Sequence, residues 1–286
     1  LKIIKILIRI NLKPVNFLLS LFLCYQILNL VIKHEIKNVL FINPELIFER
    51  HLKALIDKNL RITAYFWDSC ENKPKIRSLS KHFARCATFD FRDSEEYKWK
   101  RIDLFSETIF RMEANSRKKQ VAFVGTAHSD RPKRLTAHLD NFRKNRIDVE
   151  LYLYSPLKLL HYWKILTNRY YRDLRKYVYH KPLKKSEISK LYARSLFILD
   201  LHHKGQTGLT SRTFEALQSA AVVLTENSYI AQVSQISNYI IMDDHTVLDD
   251  CWESTISPQQ AHYCSIERFC EDLVESGLIQ IEKGKD

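Results

Sequence analysis

"LFILDLHHKGQTGLTSRTFEALQSAAVVLTEN", residues 196–227, is the stretch on which the fold turns. An apolar run ends near Asp200, a polar loop carries Gly205 and Gly208, a helical pattern begins near Thr210, and a second apolar run follows. Strand, loop, helix and strand in that order make one crossover unit of a parallel sheet. Thr210 and Ser211 are both suited to cap the helix, and Phe214 and Leu217 supply its buried face. The loop stands out because the chain spends only five glycines in 286 residues, where average usage of roughly 7% would give about 20.

The same alternation extends in both directions. Strand patterns are read at 37–43, 61–69, 120–125 and 148–154, with "CATFDF", "YVYH" and "NYIIMDD" as shorter ones. Helical patterns lie at 44–59, in "IRSLSKHFAR", "RPKRLTAHLDNFRKN", "KKSEISKLYARS" and "IERFCEDLVESG". The expected fold is α/β, with two Rossmann-like, doubly wound lobes. Residues 92–119 are highly charged and lack a clean period, which marks the join between lobes. The expected division is an N-terminal lobe over 1–105, a linker over 106–119 and a C-terminal lobe over 120–286.

A net charge of +12 directs the chain toward anions: nucleic acid, acidic lipid headgroups or phosphorylated small molecules. The six cysteines form no Cys-x-x-Cys pair and read as reduced, mostly buried thiols of a cytosolic protein. His262 beside Cys264 falls short of a structural zinc set. Between Lys13 and Lys33 the chain carries no charge for nineteen residues, just enough to cross a bilayer as a helix. Asn16, Ser20, Gln26 and Asn29 give that helix a weakly polar side, so a buried helix of a folded domain is expected, with an interfacial or spanning helix as the alternatives.

Ligands of open parallel sheets bind where strand C-terminal ends meet helix N-termini. "FVGTAHSDR" (123–131) is such a turn, with Gly125 allowing close backbone approach; a plain tight turn explains it equally, since one glycine falls short of Gly-x-Gly-x-x-Gly. At the loop after residue 200 the case is stronger. Arg212 and Glu215, three apart on one helix face, suit a phosphate and the hydroxyls of a ribose respectively, or else an exposed salt bridge. Asp68, at a strand end, is the candidate general base, with a helix-capping role as the alternative; His128 and His202 are further candidates.

"FVGTAHSDR", "YLYSPLKLL" and "HKPLKKSEISKLYARSLFILDLHHKGQTGLTSRTFEALQSAAVVLTEN" together resemble bacterial glycosyltransferases of the GT-B fold, the lipopolysaccharide and capsular polysaccharide biosynthesis type. "AYFWDSCENKP" and "CATFDFRDSEEY" resemble the N-terminal lobe of the same group, and the likeness runs over about residues 37–275. It implies two lobes facing each other, with a nucleotide-sugar donor on the C-terminal one and a glycan or lipid-linked acceptor on the N-terminal one. Carried onto this chain, Gly208, Thr210 and Ser211 face the donor diphosphate, Arg212 assists, and Glu215 holds hydroxyls. Gly125 and Thr126 line the opposite wall, with Arg131 or Lys181 as phosphate partners. No Asp-x-Asp precedes the donor loop, so transfer without a divalent metal or other cofactor is expected, the leaving phosphate being stabilised by amides, helix dipole and cations.

The chain departs from the family's pattern at its start, where "LKIIKILIRINLKPVNFLL" replaces the usual strand and glycine-bearing loop, so the N-terminal lobe is expected to lack its first unit. The location implied is cytoplasmic, at the inner face of an anionic membrane. Two other readings remain beside this one: an inactive scaffold of the same fold, and a single-stranded nucleic-acid binder built on "YWKILTNRYYRDLRKYVYHK".

Overall fold

The computed structural model describes residues 13–58, 60–107, 116–127, 129–243, 246, 248 and 256–280. The chain divides into two compact units. The first takes residues 1–103, Lys204–Gly208 and 269–286, the second Leu104–His203 and Leu209–Arg268. Neither is one continuous stretch: the region expected as a single C-terminal lobe, 120–286, gives up the glycine loop and everything from Phe269 on, most of its last helix included, to the first unit.

The first unit is built on a four-stranded, all-parallel sheet of order β1-β2-β3-β4, with β1 at Asn38–Ile42, β2 at Arg61–Phe66, β3 at Arg85–Thr88 and β4 at Lys100–Arg101. β2 is buried almost throughout, as expected of an inner strand covered on both faces. Helix Glu49–Ile56 lays His51, Leu52 and Leu55 on the core, and Phe41, Ile62, Phe66 and Leu79 join the same cluster. The charged join expected from residue 92 begins later, because Phe91–Tyr97 is a helix capped by the Asp90 side chain, which accepts from the Asp93 amide. β4 follows it within the sheet.

Helix Lys13–His34 is long and apolar enough to cross a membrane, but it is not the buried helix expected. Asn16, Ser20 and Cys24 are buried and Ile27, Leu28 and Val31 pack against the core, while Gln26 and Asn29 of the expected polar side are exposed together with Leu18, Phe22, Leu30 and Ile32. Ser20 is fully buried, lies 2.6 Å from His51 Nδ1 and accepts from the Phe48 amide at 2.9 Å. The buried Ser20 hydroxyl is thus satisfied within a face that otherwise packs through apolar side chains.

The second unit carries a six-stranded parallel sheet of order β10-β9-β8-β5-β6-β7. β5 is Lys118–Thr126, β6 Asp148–Tyr154, β7 Val178–Tyr179, β8 Ser195–Asp200, β9 Val222–Thr225 and β10 Tyr239–Ile241. The order runs outward both ways from β5, which makes this sheet doubly wound and opens a crevice where β5 and β8 part. Val121, Phe123, Phe197, Leu199, Val222 and Leu224 fill its core. Helix Arg131–Lys144 starts after β5 with Pro132 in its first turn, where the missing amide hydrogen costs nothing, and helix Ser211–Gln218 starts after β8 with Thr210 as N-cap.

Candidate functional site

At the end of β8 the centre is Asp200, 1% exposed. Its carboxylate accepts from Thr210 Oγ1 at 2.9 Å, Arg212 Nη1 at 2.8 Å and Thr213 Oγ1 at 2.6 Å. A buried carboxylate at a strand end needs such partners, and the helix following it supplies them all. Arg212 is thereby committed: its Nε donates to the Val124 carbonyl at 3.0 Å, and its guanidinium lies 4.8 Å from the Phe123 ring centroid. Burial works against its charge, but Asp200 outweighs that and raises its pKa. The expectations for two residues are corrected here. Arg212 is the buried counter-ion of Asp200 and acts on Glu215 only through space rather than as an exposed salt bridge, and the Thr210 hydroxyl is spent on Asp200 and on accepting from the Arg212 amide at 3.1 Å.

Glu215 points elsewhere, into a cavity of about 410 Å³ lined also by Ser211, Lys185, Ser186, Ser189 and Glu107. Lys185 and Glu107 form an ion pair of 2.5 Å there. Glu215 is half-buried, burial raises its pKa, and among the described residues its carboxylate has no hydrogen-bond partner. A carboxylate in that position offers free acceptor lone pairs to a hydroxylated ligand. Ser211, exposed in the first turn of the same helix, lines the same space.

Across the crevice, β5 ends in Gly125 and Thr126. Arg131 Nη1 donates to Thr126 Oγ1 at 2.8 Å, and burial, with Arg212 next, pushes the guanidinium down to about 10. It stays charged at neutral pH in a poorly solvated position, where an anion gains most. Gly125 is required by packing: a Cβ there would lie 2.7 Å from Phe123 Cζ. Lys181 is exposed, following β7 at the edge of the sheet, and nothing joins its side chain to this group. His128 lies outside the described residues.

Behind the crevice is a network that the sequence did not announce. Glu226, just past β9, accepts from Arg134 Nε at 3.0 Å and lies 2.7 Å from His138 Nε2. Burial alone would raise its pKa; the bonds from His138 and Arg134 outweigh it and hold the carboxyl at about 2. Arg134 also donates to the His202 carbonyl at 2.7 Å. His202 Nδ1 is buried without a partner, and burial lowers that ring's pKa. A His and an Arg one helical turn apart opposite a Glu at a strand end is the signal that was present, but only the sheet order brings the two segments together.

The glycine loop is corrected as well. Thr207 and Gly208 belong to the first unit, and their amides donate to Asp90 Oδ2 at 2.6 and 3.1 Å, while Thr207 Oγ1 donates to Asp90 Oδ1 at 2.7 Å. The position expected to hold a phosphate is filled by the protein's own carboxylate. Gly208 is glycine because a Cβ would sit 2.5 Å from Phe89 Cδ2 and 2.7 Å from the Phe89 carbonyl oxygen.

Elsewhere in the first unit, Asp68 stands beyond β2 beside Glu45, the Asn43 amide donating to both at 3.0 and 2.8 Å. Burial, and then the adjoining Glu45, raise the Asp68 pKa; at Glu45 burial is outweighed by Lys73, Asp68 and Asn43, and the pKa falls. Of the two carboxyls, Asp68 is the one that binds a proton more readily. Glu45 and Asn43 border a cavity of about 160 Å³ floored by Phe66, Ile76 and Leu79 and edged by Lys73 and Lys75. Among the described residues no group of three or more His, Cys, Asp or Glu is placed to hold a metal ion.

Residues 131–248, which carry Arg131, the Asp200 centre, Glu215 and Glu226, match the family model described as glycosyl transferase-like. Over that segment, under half of the chain, the sequence is similar to the glycosyl transferase-like family. No sequence among the curated proteins matches the chain. Among solved structures, that segment and its flanks are similar to accessory secretory protein 1, 2 and 3 of Streptococcus pneumoniae, at 10% identity over 84% of this chain and 48% of that one, with a TM-score of 0.41. The lipopolysaccharide outer core galactosyltransferase WaaB gives 12%, 75%, 63% and 0.47, and a glycosyltransferase from Rickettsia africae gives 11%, 89%, 72% and 0.47. The chain thus spans 48% and 63% of the first two of these proteins.

Proposed function

We propose that this chain transfers a sugar from a nucleotide-sugar donor to a glycan or lipid-linked acceptor in cell-surface polysaccharide synthesis, without a divalent metal, at the cytoplasmic side of an anionic membrane. The observation that carries the reading is Glu215, an unpartnered, half-buried carboxylate on a cavity of about 410 Å³ within the glycosyl transferase-like segment. Vicinal ribose hydroxyls donate to such a carboxylate in pairs. Arg131, charged and poorly solvated beside Thr126, is the proposed diphosphate partner.

In this reaction the bond from the anomeric carbon to the diphosphate oxygen breaks, the acceptor oxygen forms the new one, and the leaving phosphate takes up negative charge. Arg131 opposes that charge. The acceptor hydroxyl gives its proton to a base, and the Asp68 carboxylate is the proposed one. A thermal-shift series with UDP-, GDP-, ADP- and CMP-sugars tests the reading. Stabilisation by one nucleotide class, lost in Glu215→Ala, is expected; no response to any of them overturns it and favours the scaffold.

A further inference from the structure

The basic, aromatic stretch around residues 157–176 of the second unit suits nucleic acid, an anionic membrane or a packed surface under a crossover, and the structure removes the last of these. Helix Lys158–Thr167 buries only His161 fully, with Ile165 partly packed on the core. Leu159 is 87% exposed, Leu166 79%, and Tyr162 and Trp163 60% each. At roughly 100° per residue those four fall within about 100° of arc, opposite His161 and Ile165. They form one continuous apolar face, extended at its edge by Leu160, and Leu157, exposed as well, precedes the helix as its N-cap.

The charge around that face is predominantly positive. Lys158, Arg169, Arg172, Arg175 and Lys176 are exposed, and Asp173 is the single carboxylate between residues 157 and 177. We propose that this helix and the turns after it form a docking surface for the face of an anionic bilayer, with Leu159, Tyr162, Trp163 and Leu166 entering the headgroup boundary and the cations meeting lipid phosphates. The helix has ten residues, about 15 Å at 1.5 Å per residue, far short of a span, so it lies in the plane of the interface. Trp and Tyr beside Leu, flanked by Lys and Arg, is the composition that interfacial helices use.

Charge and shape separate this partner from the others. A two-fold contact with a second copy presses one cationic patch against another, which is repulsive. Single-stranded nucleic acid would use the cations and the two aromatic rings, but leaves Leu157, Leu159, Leu160 and Leu166 in water. A bilayer uses both sets. The proposal rests on the membrane location in the reading above and not on the donor site, so vesicle binding and donor binding can fail separately.

The test uses the full chain with phosphatidylcholine vesicles, with and without phosphatidylglycerol. Binding to the anionic vesicles alone is expected, weakening as salt is added, with Leu159→Glu/Leu166→Glu lowering partitioning ~10-fold or more. Both substitutions are at exposed positions, so the folded chain is retained. Brominated lipid then reports contact directly: it quenches the wild-type fluorescence, and that quenching is lost in Trp163→Phe even where helix Lys13–His34 also holds the chain to the vesicle. Quenching that persists in full in Trp163→Phe overturns the proposal. So does single-stranded RNA binding, or dimerisation, that the Leu159/Leu166 pair abolishes while vesicles have no effect.

Discussion

Asp90 Oδ2 lies 2.6 Å from the Thr207 amide nitrogen across 117 residues of chain. With the Gly208 amide and the Thr207 hydroxyl it makes three bonds to one loop, and a fourth to the Asp93 amide. Removing a carboxylate so embedded leaves donors unsatisfied. Asp90→Ala should cost ~2–4 kcal/mol in urea unfolding. Asp90→Asn should recover little, since its amide cannot accept at both ends. Gly208→Ala should be similarly costly through its clash with Phe89.

The Arg212–Asp200 pair gives a second expectation. Arg212→Ala strands a 1%-exposed carboxylate and should destabilise by ~3–5 kcal/mol. Arg212→Lys should rescue only part, because a single ammonium cannot reach both Asp200 and the Val124 carbonyl. Ser211→Ala next door, exposed and on the cavity, should leave the denaturation midpoint within ~0.5 kcal/mol of wild type while weakening donor binding.

Glu226 makes stability depend on acid. Its folded pKa of about 2 lies below the ordinary 4.5, so its contribution is complete above the ordinary value and drains away as pH falls from there toward 2. Thermal melts across that window should show a steep acid limb in wild type and a shallower one in Glu226→Gln, which should also melt lower at neutral pH by ~2–3 kcal/mol of stability.

For Glu215 the sign is opposite. Burial raises its pKa in the folded state, so ionising it works against folding at neutral pH. Glu215→Gln should therefore raise stability by ~0.5–1 kcal/mol while donor affinity drops ~10-fold or more, the pattern of a residue retained for binding. Titrating donor affinity downward in pH should show wild type weakening before an ordinary glutamate would protonate, and Glu215→Gln insensitive.

The periodic elements were open to reading because their signals are local. The runs at 120–125, 148–154 and 196–201 appear as β5, β6 and β8, and Thr210 caps the helix it precedes. Helix Phe91–Tyr97 was obscured by its charges, since "RDSEEY" shows no apolar face until Phe91 and Asp93 are seen buried. The site was harder for the same reason in reverse. Arg212 looks like a ligand group until Asp200, twelve residues upstream, is placed against it. Gly208 looks like a phosphate loop until Phe89 and Asp90 close on it from more than a hundred residues away. Glu215 could be read from its helix turn alone, but the cavity that gives it meaning needed residues 105–107 and 185–189 brought to the same place.

The first unit is assembled from three stretches of chain. Arg61 Nη2 donates to the Gly277 carbonyl at 3.0 Å and Thr63 Oγ1 to that of Leu278 at 2.8 Å, while Asp90 waits for Thr207 and Gly208. A fragment ending at residue 103 carries all four strands of its sheet and none of these partners. On the ribosome, the unit begun first of the two is therefore the one finished last: it stays incomplete until residues 277 and 278 have emerged, and a stop anywhere before residue 277 leaves it open.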